Sequence, residues 1–105
     1  MTTPLQWHRA VPFSQLDDEE PTQVRVGDQL IALCKLGDQA FAVDDICTHE
    51  YASLSDGMIE DGCIECPLHQ ALFDIRTGKA LTLPAVVDLA VYSVKIEDGI
   101  VWVGV

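Results

Sequence analysis

The chain has 105 residues, 49% of them apolar, and 17 acidic against 6 basic side chains, for a net charge of −11. That length suits one domain with a modest core, and the acidity excludes nucleic acid as a partner, because phosphates require a basic surface. No run approaches the roughly 18 apolar residues of a membrane span. Met1-Thr2-Thr3-Pro4 has neither a basic start nor an apolar stretch, so no secretory signal is visible and the cytoplasm is the expected location.

Leu5 to Ala10 alternates loosely and predicts a first strand, with His8 in it. Pro12 to Pro21 carries Asp17-Asp18-Glu19-Glu20 and predicts a solvated loop with one helical turn at Ser14-Gln15-Leu16. From Thr22 a period of two takes over. Val24 and Val26 alternate with Arg25, Gly27-Asp28 turns the chain, Leu30 to Leu36 runs apolar, and Gly37-Asp38 turns it again before Phe41 and Val43. Cys34, inside the apolar run, reads as a buried small hydrophobe. Short strands follow around Met58-Ile59 and Cys63-Ile64-Glu65, with Asp61-Gly62 between them. Phe73-Asp74-Ile75 and Lys79-Ala80-Leu81 flank a turn at Thr77-Gly78. Val86 to Glu97 and Ile100 to Val105 predict two closing strands around Asp98-Gly99, a strong hairpin signal. No long segment has a helical period. The expectation is an all-β domain of many short antiparallel strands.

The chemistry lies between these strands. Cys47-Thr48-His49 and Cys66-Pro67-Leu68-His69 are two Cys/His pairs separated by sixteen residues. Each pair can bring a thiolate and an imidazole to a metal from a single turn. On two irons the four ligands segregate, Cys47 and Cys66 on one and His49 and His69 on the other. This is the mixed ligation in which two histidines replace two cysteines of a [2Fe–2S] cluster.

The pattern C-x-H-x16-C-x2-H resembles the Rieske iron–sulfur motif. With Leu54-Ser55-Asp56-Gly57, Glu65-Cys66-Pro67-Leu68-His69, Phe73-Asp74 and Thr77-Gly78, nearly the whole chain resembles the small Rieske ferredoxins of aromatic-ring-hydroxylating dioxygenase systems, such as those for naphthalene and biphenyl. The resemblance implies an antiparallel β-sandwich base, about residues 1–46 and 85–105, with a small cluster-binding subdomain, about 47–84, inserted in it. It implies one Rieske-type [2Fe–2S] cluster held by Cys47, His49, Cys66 and His69. It also implies a one-electron carrier, a monomer, taking electrons from a flavin-dependent ferredoxin reductase to a terminal Rieske oxygenase. Respiratory Rieske proteins add a cysteine in each ligand loop and a serine after the second histidine. Here Glu50-Tyr51-Ala52, Leu68 and Gln70-Ala71 stand instead, which places the expected potential at the low end of the Rieske range, of order −150 mV. Ferredoxins of this type often carry glycine where Ala71 stands.

Other readings compete. A Rieske electron-transfer subunit of another reductase, such as a nitrite reductase, would share the motif. A structural zinc module could use Cys63-Ile64-Glu65-Cys66 with His69. A disulfide scaffold fits four cysteines but not the expected compartment. A Rieske oxygenase is excluded by count, because a mononuclear iron needs two further histidines and only His8 remains. Tyr51, Leu68 and Phe73 are expected to shield the cluster. Nine acids and no base lie between Lys35 and Arg76, so an acidic docking face is expected there, with the Asp17–Glu20 run remote from it.

Overall fold

The structure, a computed structural model, describes residues 5–48, 51–68, 70–83 and 85–105. Among the described residues there are nine strands: β1 (Trp7–Pro12), β2 (Thr22–Val26), β3 (Gln29–Leu36), β4 (Gln39–Asp44), β5 (Met58–Glu60), β6 (Cys63–Glu65), β7 (Leu72–Asp74), β8 (Val91–Glu97) and β9 (Ile100–Gly104). Six form an antiparallel sheet in the order β1-β9-β8-β4-β3-β2, whose two edges, β1 and β2, come into contact so that the sheet curls nearly into a barrel. The other three form a small antiparallel sheet, β5-β6-β7.

The apolar run of β3 has a structural cause. Ile31 and Leu33 face one core, with Val26, Ala42, Val101 and Val103 inside the curl of the large sheet. Ala32 and Cys34 face the other, with Ile59, Ile64 and Phe73 of the small sheet. A strand buried on both faces has no solvent side to alternate with, so its sequence loses the period of two. Asp61-Gly62 and Asp98-Gly99 each join two strands, with φ of 53° and 76° in the first and 52° and 75° in the second. Positive φ at both central residues is the geometry whose twist matches paired strands.

Three local expectations change. The helical turn is a 3₁₀ turn one residue earlier, Phe13–Gln15. Across the expected turn at Thr77-Gly78, Phe73 and Ala80 pair only as an isolated bridge. The strand expected from Val86 begins only at Val91. Before Ala90, whose carbonyl accepts the Asp44 N–H of β4 (2.9 Å), the hydrogen bonds go elsewhere: Leu89 N–H donates to the Gly78 carbonyl (2.7 Å) and the Val87 carbonyl accepts from Thr48 Oγ1 (2.6 Å). Residues 81–83 and 85–89 form a strap tied to the two loops that open on Cys47 and Cys66.

Candidate metal centre

The two motif cysteines open two hairpin loops of equal length. Ile46 and Ser53 form a bridge, and inside it the Cys47 N–H donates to the Ala52 carbonyl at 2.9 Å. Glu65 pairs with Leu72, and inside it the Cys66 N–H donates to the Ala71 carbonyl at 2.8 Å. The same closure thus occurs twice, over Cys47–Ala52 and over Cys66–Ala71, with the histidine third in the first loop and fourth in the second. His49 and His69, and Glu50 beside the first, lie outside the described residues. Cys47 is 4% exposed and Cys66 is fully buried, and both belong to one apolar cluster with Leu54, Ile64, Phe73, Ala85 and Leu89.

The other two cysteines are placed differently. Cys34 lies in β3, and burial, with the charge of Asp45 adding to it, pushes its thiol up to about 12. At neutral pH it stays protonated and makes a poor ligand. Cys63 begins β6 and is separated from Cys66 by the paired residues Ile64 and Glu65. Three steps along an extended backbone cover about 10 Å and put the two side chains on opposite faces. A zinc knuckle needs both sulfurs within reach of one ion at about 2.3 Å each, so the Cys63/Cys66 pairing of the zinc reading is lost.

Four contacts brace the loops and the strap. Leu54–Asp56 is a 3₁₀ turn ending at Gly57. A Cβ built on Gly57 would lie 1.8 Å from the Glu65 carbonyl oxygen, so the turn after the first loop presses directly on the backbone before Cys66. The Leu72 N–H donates to Thr82 Oγ1 (2.9 Å), tying the second loop to the start of the strap. The Thr48 hydroxyl donates to Val87 and ties the first loop to its end. Asp88 Oδ1 accepts the Ala80 N–H (2.9 Å) and joins the strap's two ends.

Several expectations about the surroundings are corrected. Phe73 is buried, but Tyr51 is 96% exposed and Leu68 is 41% exposed, so neither closes the site from solvent. On the strap, Leu83 and Val86 are likewise 78% and 73% exposed. Asp45 is fully buried and cannot take part in docking. Asp74 Oδ1 accepts the N–H groups of Arg76 and Thr77 in a turn. The Asp17–Glu20 run lies between β5, where the Glu19 carbonyl accepts the Ile59 N–H (2.7 Å), and Lys35 near the β3–β4 turn, which pairs with Asp18 at 3.1 Å. Ala71 needs no glycine: the left-handed residue of the second loop is Gln70, with φ of 57°.

Two thiols and two imidazoles offered by paired loops of equal length are the donor set of a mixed-ligand iron–sulfur centre. Apolar burial of both thiol positions fits such a group, since little water reaches its sulfur side. A small all-β chain of this kind is an electron-transfer protein by class. Comparison with known proteins agrees. Residues 6–93 match the Rieske [2Fe-2S] domain family. The anthranilate 1,2-dioxygenase ferredoxin subunit of Burkholderia cepacia is 43% identical over 98% of this chain and 95% of that one. The ferredoxin component of the naphthalene 1,2-dioxygenase system of Pseudomonas putida is 40% identical over 90% of each. A chain in the complex of reduced oxygenase and oxidised ferredoxin of carbazole 1,9a-dioxygenase superposes with a TM-score of 0.86 at 37% identity, over 92% of this chain and 91% of that one. The chain belongs to the Rieske [2Fe–2S] family. It carries one Rieske-type cluster and acts as a ferredoxin, a one-electron carrier rather than a catalytic subunit.

Proposed function

We propose that this ferredoxin serves an aromatic-ring-hydroxylating dioxygenase system, taking electrons from a flavin-dependent reductase to a terminal oxygenase in the cytoplasm, as a monomer. Cys47 and Cys66 hold one iron and His49 and His69 the other. Residues 47–84 act as the cluster-binding unit on a base made of 1–46 and 85–105. The observation that carries the ligand set is the doubled loop, each copy opening on a buried cysteine at the same place in the same backbone closure. The names of the relatives favour a dioxygenase system over a nitrite reductase.

When bound, the cluster supplies a single reversible electron. The protein's own part is to hold it near a surface that a partner can reach. Buried cysteines place the sulfur-ligated side inward, among Leu54, Ile64 and Phe73. The loops and the strap leave Tyr51, Leu68, Leu83 and Val86 exposed. Among the described residues, no helix is long and apolar enough to cross a membrane.

Purified protein should contain two irons and two sulfides per chain, absorb in the visible, and give an EPR signal only after one-electron reduction. Colourless protein with one zinc would sink the reading.

Docking should combine the apolar end with flanking charge. Small transient complexes use charge mainly for encounter rate and orientation, and exposed charges are screened beyond about 8 Å at physiological ionic strength. Added salt should therefore slow reduction by the reductase. Glu50→Lys, next to His49 in sequence, should lower the bimolecular rate severalfold with an unchanged spectrum. Asp38→Lys, at the β3–β4 turn, is the control and should have little effect, since strand pairing places Leu36 and Gln39 at the end of the sheet away from Asp44 and the first loop. Stopped-flow rates indifferent to salt and to Glu50→Lys, yet lowered by Val86→Asp, would assign docking to the apolar residues alone.

A further inference from the structure

Among the described residues, Asp45 is the buried charged side chain, with no exposed surface. It stands two residues before Cys47, at most about 7 Å away between α-carbons. Both of its carboxylate oxygens are engaged. Oδ1 accepts the Ser55 N–H at 2.8 Å, and Oδ2 accepts Gln23 Nε2–H at 2.7 Å. Its backbone is held as well: the Asp45 N–H donates to the Leu30 carbonyl (3.0 Å), and its carbonyl accepts the Leu54 N–H (2.6 Å). Residues from β2, the start of β3 and the 3₁₀ turn therefore converge on the residue that leads into the first ligand loop.

The donors to this side chain are all neutral, and among the described residues no cation pairs with it. Burying a carboxylate without a counterion is costly. The hydrogen bonds alone do not require the charge, because an asparagine of the same shape could accept from Ser55 and meet a turned Gln23 amide. The charge therefore has a consequence separate from the clamp. A fixed anion in a low-dielectric interior opposes the arrival of another negative charge nearby. The upward push on Cys34, partly from Asp45, is the same influence felt by another sulfur of this core.

We infer that Asp45 is a positioning residue with a second role: its side chain locks the first ligand loop to β2 and the 3₁₀ turn, and its buried charge lowers the reduction potential of the centre. The inference rests on Cys47 being a ligand.

The test is a redox titration of intact holo-protein, with iron content and the visible spectrum recorded for each variant. Asp45→Asn should keep two irons and a native spectrum while raising the potential. About a tenfold shift in equilibrium with a reference couple is expected for a charge at this range and partial screening, which is 59 mV for one electron. Gln23→Lys leaves Asp45 in place and pairs it with a cation from β2, so it should shift the potential in the same direction. Asp45→Ala should remove the clamp and release iron about tenfold faster on heating. Should Asp45→Asn fail to fold, Gln23→Lys decides alone. Unchanged potential in every variant that holds a cluster overturns the role of the charge, and unchanged iron release in Asp45→Ala overturns the clamp. Wild-type protein without iron would instead overturn the ligand reading, and would do so before any variant was compared.

Discussion

Cys47→Ser and Cys66→Ser should each abolish the bound cluster, whereas Cys34→Ala and Cys63→Ala should keep it. The first pair removes a thiolate at the buried head of a ligand loop. The second pair lies elsewhere: Cys34 faces the shared core from β3, and Cys63 is at the far end of β6, its Sγ near the Asp61 carbonyl at 3.7 Å. Iron and sulfide per chain should fall to near zero in the first pair and stay at two in the second. Cys34→Ala leaves a small cavity in a fully buried position, so a stability loss of about 1 kcal/mol or slightly more is expected without loss of iron. Loss of the cluster in Cys63→Ala, with retention in Cys47→Ser, would reverse the assignment. His49→Cys and His69→Cys extend the series. Together they give all-thiolate ligation, and each should lower the potential if iron is retained, because each replaces a neutral ligand with an anion.

Gly57→Ala should be strongly damaging although it touches no ligand. The backbone at Gly57 is extended, with φ of −93°, so an alanine there carries no conformational strain. The obstacle is contact. Its Cβ would meet the Glu65 carbonyl oxygen at 1.8 Å and its carbon at 3.0 Å, both backbone atoms that no side-chain rotation can clear. Either the 3₁₀ turn or β6 must move, and β6 leads directly into Cys66. Overpacking of this kind costs about 1–3 kcal/mol. In a domain of this size that lowers Tm by roughly 10 °C, and the cluster should be lost at lower temperature than in wild type. Gly37→Ala is the comparison. Its φ of 66° imposes strain, but nothing lies within 4 Å of the added carbon. It should cost about 1–2 kcal/mol and leave iron retention at ambient temperature unchanged. Equal iron retention and equal Tm in Gly57→Ala and wild type would mean that the two loops are not braced through this contact.

Much of the molecule was legible before any fold was known. Cys-x-His and Cys-x-x-His are local patterns whose spacing already implies shared ligation, and Asp-Gly at two positions states its own turn geometry through positive φ. Alternation in Val24-Arg25-Val26 marks a strand with one face inward. These features depend on residues close in sequence, so sequence carries them. Tertiary structure decided the rest. The unbroken run of β3 follows from cores on both of its faces, which no local pattern can distinguish from a buried helix segment. Residues 86–89 read as strand by apolar content, yet Leu89 and Val87 bond to Gly78 and Thr48, partners 11 and 39 positions away. Asp45 looks like any acid in an acidic stretch, since burial depends on what folds over it. Only the meeting of Gln23, Leu30, Leu54 and Ser55 turns it inward, and those partners come from elements that approach one another only in the folded chain. The ligand types are thus a property of the sequence. Their burial, their bracing and the charge beside them are properties of packing between distant segments.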